Sequence, residues 1–229
     1  MLRTWDIFDT LIARRCIYPN LVFQIVERAS KVNNFAQARA TAERIAASRK
    51  TNYNIDDIYA ELQRMTGASK NLCDALKKLE LDVEFDQSIP ITENIRQVKA
   101  GDVLISDMYL PEEFIRRLLA KAGLIAPVEV VITANGKSSG RIWKQFAAQG
   151  AAVFHTGDNE NVDVKNPRLE GLESFLSNLS QPTPIEQYII QRDFNFGSAH
   201  IFVKFVCAIR SPKRSSVCIG NFAPRTWGC

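Results

Sequence analysis

The most constraining feature of this chain is an alternation in its middle third. Residues 102–105 read as a strand after a turn at Gly101, and residues 111–122, opened by Pro111 and stopped at Gly123, carry helical spacing. Residues 128–133 are apolar and β-branched, which predicts a strand buried on both faces. A helical stretch follows at 142–149, bounded by Gly140 and Gly150, and then a short strand at 151–155. Strand, helix, strand, helix, strand is the pattern of right-handed crossovers in a parallel sheet. Such a sheet gathers the residues that follow its strands into one crevice, so polar side chains at strand ends become the candidates for chemistry. The chain opens in the same way, with a strand-like run at 2–5 that ends directly in Asp6.

Between these two parts, apolar residues recur at helical spacing over 20–30, 36–50, 55–65 and 71–81. Asp56 and Asp57 favour the start of the third stretch and Gly67 its end. No convincing strand interrupts them, which predicts a helical insertion over 14–85 within an α/β core of 1–13 and 86–181. The predicted fold class is α/β, a Rossmann-like parallel sheet with helices on both faces and a helical cap inserted after the first strand. Beyond Gly171 the spacing of 172–179 suggests a helix, Pro182 and Pro184 mark a break, and the apolar run 199–209 fits helix or strand equally. The segment 182–229 has no readable architecture.

At 229 residues and 46% hydrophobic composition the chain can bury one substantial core. Its net charge of +4 resides beyond Leu176, where Arg192, Lys204, Arg210, Lys213, Arg214 and Arg225 face only Glu186 and Asp193. The ordinary reading of such a tail is a solvated terminus, so neither a nucleic acid nor a membrane partner is predicted. Cys16, Cys73, Cys207, Cys218 and Cys229 form no close pair, which indicates neither a disulfide framework nor a thiolate metal site. Arg3, Asp6 and Asp9 interrupt any signal-peptide pattern and no apolar run reaches transmembrane length, so a cytoplasmic protein is predicted.

Polar clusters follow the predicted strands: Asp6 to Leu11, Ser106 with Asp107, Lys137, and Gly157-Asp158-Asn159 with Asp163. A single aspartate after a strand is ordinarily a turn or cap residue. Several in successive parallel strands share one crevice. There Asp6 is a competent covalent nucleophile, and Asp6 with Asp158 would repel one another unless a cation lay between them, which makes a hard oxygen site for Mg²⁺. Lys137 would offset carboxylate charge, and Ser106 could donate to a transferring phosphoryl oxygen.

This order of motifs resembles that of the haloacid dehalogenase-like (HAD) hydrolases, over about residues 2–171, and especially a bacterial subgroup with FDxFDTL, SDMYL and GDN motifs. Trp5 stands where that subgroup usually has Phe. The resemblance implies that Asp6 is the nucleophile, that Thr10 supports the first loop, that Ser106 is the phosphate-binding hydroxyl and that Lys137 is the site ammonium. It implies a Mg²⁺ ion held by Asp6, the Phe8 carbonyl and Asp158, with Asp9, Asp107, Asn159 and Asp163 in support. The insertion then corresponds to a C1-type cap over the site, and the implied substrate is a small anionic phosphorylated metabolite.

One departure bears on chemistry. HAD phosphatases usually carry a second aspartate two residues after the nucleophile, where it moves protons; here that residue is Phe8, which cannot. Haloacid dehalogenases have an aromatic residue there, so hydrolysis at carbon is an alternative, as is a non-catalytic protein on the same scaffold. Simpler roles also stand for single residues. Asp107 could cap the helix opened by Pro111, His155 could be a packed strand residue, Tyr109 could be a packing residue, and the arginines of 39–49 could lie on a solvated helix face.

Overall fold

The computed structural model describes residues 1–16, 18–182, 184, 187 and 188. The elements run in chain order as β1 (Leu2–Asp6), β2 (Ile12–Arg14), α1 (Asn20–Ser30), α2 (Phe35–Arg49), α3 (Ile55–Thr66), α4 (Lys70–Gln87), β3 (Ser88–Pro90) and α5 (Thr92–Ile95). They continue as β4 (Val103–Asp107), α6 (Glu112–Lys121), β5 (Glu129–Thr133), α7 (Arg141–Ala148), β6 (Val153–Gly157), α8 (Asn166–Leu169) and β7 (Glu173–Leu176), with a π-helical turn, Glu160–Lys165, before α8. Strands β5-β4-β1-β6-β7 form a five-stranded parallel sheet, and β2 pairs with β3 in an antiparallel ribbon. This is the parallel α/β sheet with helices on both faces that the alternation predicts.

Side chains alternate across each strand, so neighbouring residues serve opposite layers. Trp5 and Leu104 pack with Phe114, Ile115, Leu118 and Leu119 of α6. Val103, Ile105 and Val153 instead join Ile142 and Trp143 of α7. Fully burying one such aliphatic side chain is worth about 1.5–3 kcal/mol. The indole of Trp5 also donates to Asp102 at 2.9 Å.

Three expectations are corrected. Strand β5 is an edge strand with Glu129 exposed and only Val130 fully buried, so its apolar run does not mark a strand covered on both faces. The segment 172–179 contains a strand rather than a helix: after the turn at Gly171 (φ 76°), β7 pairs in parallel with β6 from Phe154↔Glu173 to Gly157↔Leu176. Its helix-like spacing leaves Phe175 and Leu179 exposed. Arg39 does not lie on a solvated face. It is fully buried, bonded twice to Glu80 (2.8 and 2.7 Å) and once to Glu43 (3.0 Å), while Arg44 and Arg49 are exposed.

Helices α1–α4 lie between β2 and β3 and share one hydrophobic cluster with the α6 face of the sheet. A capping box starts α3, with the Asn54 side chain accepting from the Asp57 amide, and Gly67 ends it in the left-handed region (φ 69°). The Tyr59 hydroxyl donates to Glu80 at 2.8 Å, and the Arg39 guanidinium faces the rings of Phe23, Tyr59 and Tyr109. Tyr109 follows β4, and its carbonyl accepts from the Ile55 amide at 2.9 Å, which ties α3 to the strand-end loop.

No helix among the described residues is long and apolar enough to cross a membrane. Cys16 and Cys73 are buried and carry no disulfide. The readings made for the basic tail, the apolar run 199–209, His200, Cys207, Cys218 and Cys229 lie outside the described residues.

Candidate active site

Asp6 is the last residue of β1 and is almost fully buried. The chain then makes a tight loop in which the Leu11 and Ile12 amides both donate to the Ile7 carbonyl (2.8 and 3.0 Å). Asp9 takes a left-handed conformation there (φ 57°), and its amide donates to Ile12 O at 2.7 Å. This loop brings Thr10 back over the strand end, and its hydroxyl donates to Asp6 Oδ2 at 3.1 Å. Ser106 lies one residue beyond Ile105, the register partner of Asp6, so it shares the same sheet edge. It is buried at that edge.

Lys137 reaches this edge from the loop after β5. Its buried ammonium donates to Asp6 and to Asp163 Oδ1, the latter at 2.8 Å. Asp163 comes from the π-helical turn after β6 and packs against Gly157 so closely that an added Cβ would lie 2.4 Å from it. The Asn159 side chain accepts from the Asn161 and Val162 amides (3.0 and 3.1 Å), and its own amide donates to Asp163 Oδ2 at 3.1 Å.

Asp107 neither caps α6, whose N-cap is Pro111, nor stands apart from the site. Its carboxylate accepts from the amides of Gly136, Lys137 and Ser138 and from the hydroxyls of Thr133 and Ser138. These donors outweigh burial and hold its carboxyl below the usual range. Asp107 therefore shapes the loop that delivers Lys137.

Two residues not assigned to the site from sequence belong to its surroundings. His155 is fully buried beside Trp143, with Nδ1 2.8 Å from the Thr4 hydroxyl and Nε2 3.2 Å from Asp163 Oδ1. Burial pushes its pKa down, so the ring is neutral. An ionised carboxylate only accepts, which puts the hydrogen on Nε2, and the bare Nδ1 then takes the Thr4 proton. The signal was the period of two, because Thr4 with Asp6 and His155 with Gly157 each share one face of adjacent strands. The second is Arg14, on β2. Its guanidinium stacks 4.4 Å from the Phe8 ring centre while its Nε donates to Glu84 of α4 at 2.7 Å.

The crevice is short of positive charge. Burial pushes Asp6 up to about 8, against the pull of Lys137 and with the added repulsion of Asp163 and Asp158. Burial and Asp9 push Asp158 up to about 6. Burial works against the Lys137 charge, but Asp6 and Asp163 outweigh it and keep the ammonium protonated. Asp163 is held low despite its burial because Lys137 and His155 both favour its charge. The opposed shifts of Asp6 and Lys137 reconcile as a surplus of carboxylate: the lysine keeps its proton, and its one charge is divided between Asp6 and Asp163.

Oxygen atoms of Asp6, Asp158 and Asp163 all lie within 4.8 Å of one another, an arrangement that can hold a divalent cation. Asp163 is already committed to Lys137 and His155, which leaves Asp6 and Asp158 as the carboxylates with most to gain. The Phe8 carbonyl accepts no backbone hydrogen bond among the described residues.

Comparison with solved structures agrees with this architecture. The chain is similar to a haloacid dehalogenase-like family hydrolase from Xanthomonas campestris, at 15% identity over 80% of this chain and 83% of that one, with a TM-score of 0.51. It is likewise similar to L-2-haloacid dehalogenase from Xanthobacter autotrophicus with chloropropionic acid covalently bound, at 13% identity over 90% and 87% of the two chains and a TM-score of 0.50. The protein has the fold of the HAD hydrolases, carrying a candidate aspartate-based metal cluster. No family model and no curated protein matches the sequence.

Proposed function

We propose that the protein is a Mg²⁺-dependent phosphoryl hydrolase that acts on a small phosphorylated metabolite through a phosphorylated Asp6. The observation that supports this most is the charge imbalance in the crevice, where the carboxylates of Asp6, Asp158 and Asp163 lie together around the one ammonium of Lys137. In this reading Asp6 attacks phosphorus, Lys137 keeps that carboxylate ionised and oriented, and Thr10 fixes its second oxygen. Ser106 donates to a phosphoryl oxygen, and Asp163 holds Lys137 in place. Asp6, Asp158 and the Phe8 carbonyl would hold the Mg²⁺ ion, which when bound offsets the negative charge shared by carboxylate and phosphoryl group. Residues 14–85 serve as the cap that encloses the substrate, and Tyr109 joins that cap to the strand-end loop.

A dehalogenase-like displacement at carbon is the second reading, favoured by the aromatic Phe8 two residues after the nucleophile. It gives no use to the Asp158 carboxylate beside Asp6. A phosphometabolite panel with and without a chelator separates the readings. Phosphate release that depends on Mg²⁺ and vanishes in Asp6→Asn supports the first, and halide release from 2-haloacids that survives chelation supports the second. No turnover in either assay would favour a non-catalytic role for the scaffold.

A further inference from the structure

We infer that Asn94 is a positioning residue: by joining the loop after β1 to the end of β7 it fixes the gap between Asp6 and Asp158, and so favours Mg²⁺ over the larger Ca²⁺. This rests on the metal-dependent reading above. Asn94 lies on α5, the short helix that follows β3, and is only 5% exposed. Its side-chain amide donates to the Thr10 carbonyl and to the Ser177 hydroxyl oxygen, each at 2.9 Å. A backbone carbonyl only accepts, so the amide nitrogen must face Thr10, and its two hydrogens serve one bond each.

Each bond leads to one side of the carboxylate cluster. Thr10 belongs to the loop that follows the nucleophile, and its hydroxyl donates to Asp6 Oδ2 at 3.1 Å. The same loop is tied to the start of α5 a second time, by the Ile91 amide donating to the Leu11 carbonyl at 2.8 Å. Ser177, also buried, is the residue after β7, and its amide donates to the Gly157 carbonyl at 2.7 Å. Gly157 precedes Asp158 in the chain and packs against Asp163. One buried amide therefore spans the segments that carry Asp6 and Asp158.

What it spans is a repulsion. An oxygen of each of Asp6, Asp158 and Asp163 lies within 4.8 Å of the others, and like charges at that range push their loops apart. Lys137, from the loop after β5, ties Asp6 to Asp163 through their side chains. Asn94 ties the same two segments through their backbones, with Ser177 entering from β7 at the opposite edge of the sheet. Magnesium demands ligands at about 2.0–2.1 Å in near-ideal octahedral geometry, whereas Ca²⁺ accepts about 2.3–2.6 Å and a flexible shell. A cluster held at a fixed gap suits the smaller ion. One released to widen suits the larger.

The test is calorimetric titration of the full-length protein with Mg²⁺ and, separately, with Ca²⁺, in wild type and in Asn94→Leu, which keeps the side chain's approximate size and removes both donors. Affinity for Mg²⁺ should fall about tenfold, the lower end of the range for a partner outside the metal's own ligands. Affinity for Ca²⁺ should fall less, so that the ratio of the two affinities drops about fivefold. Equal losses for both ions would make Asn94 a stability residue only and overturn the inference, as would an unchanged Mg²⁺ affinity. Ser177→Ala removes one hydroxyl and leaves Asn94 its bond to Thr10, and the ratio should drop about threefold. If Asn94→Leu does not fold, Ser177→Ala decides alone, and an unchanged ratio in it overturns the inference. A wild-type protein that binds no Mg²⁺ overturns the metal-dependent reading itself, a result distinct from wild-type binding that ignores Asn94→Leu.

Discussion

Buried charge occurs in two regions of this molecule, and the two handle it differently. In the helical insertion, Arg39 meets Glu80 and Glu43, Arg14 meets Glu84, and aromatic rings cover the guanidinium faces. Each buried arginine has a carboxylate at bonding distance. In the crevice at the sheet edge, Asp6, Asp158 and Asp163 share the single ammonium of Lys137. Desolvating charge is costly, and a structural site removes that cost by pairing. The crevice, by contrast, holds more carboxylates than the one ammonium offsets.

This contrast breaks most sharply by removing one residue from each side. Asp6→Asn should lower phosphate release by more than about 10³-fold, since in the proposed reaction its carboxylate is the attacking group. A Mg²⁺-dependent phosphate-release assay measures this, and retention of a tenth of the activity would dismiss Asp6. Arg39→Met should instead destabilise by about 3–5 kcal/mol, because it strands Glu80 in the interior. Pairing that change with Glu80→Leu should recover most of the loss in urea unfolding. If Arg39→Met melted like the wild type, the insertion's ion pair would not be the structural element described.

A smaller effect is expected at His155, which acts on the nucleophile only through Asp163 and Lys137. His155→Leu should slow turnover about tenfold, the lower end of the range for an outer-shell partner. His155→Gln, which keeps a donor near Asp163, should stay within about threefold of wild type. Equal losses in both variants would mean that the ring serves packing alone.

The smallest effect is on stability against pH. The folded pKa values of Asp6 and Asp158 are raised to about 8 and about 6. Above about pH 4 the unfolded chain has released protons that the folded chain still holds, so folding favours low pH. Without metal, these two groups make stability fall as pH rises through about 6 and then about 8, while His155, kept neutral by burial, opposes them below its ordinary range near 6.5. Asp163, held low, opposes this only below its ordinary range near pH 4. Melting temperatures at pH 5 and pH 8 in chelator should therefore differ, and saturating Mg²⁺ should raise the value at pH 8 more. A metal-free protein that is more stable at pH 8 would reverse the sign and refute the imbalance.

What the sequence revealed follows from where its signals are strong. Long helices announced themselves by periodicity and end signals, as at Asp56, Asp57 and Gly67, and the residues after strands fell at one edge because a parallel sheet has only one such edge. Strands β2 and β3 went unseen since three residues carry no period. Segment 172–179 misled because apolar residues at helical spacing can equally pair with a neighbouring strand when some of them remain exposed, as Phe175 does. The role of Asp107 depends on a loop some thirty residues later in the chain, and that of Arg14 on a helix some seventy residues away. Neither partnership leaves a mark at short range. Arg39 looked like its exposed neighbours because a helix face is decided by what packs on it.

The central claim is that the crevice lacks a cation that Asp6 and Asp158 are arranged to receive. Calorimetric titration of the purified protein with Mg²⁺ at pH 7, in two buffers of different ionisation enthalpy, tests it most directly. The account predicts saturable binding that releases protons, since a cation displaces those held by the raised carboxyls. It also predicts an affinity at least tenfold weaker in Asp158→Ala, about 1.4 kcal/mol. Binding that ignored Asp158→Ala, or no binding at millimolar Mg²⁺, would contradict it.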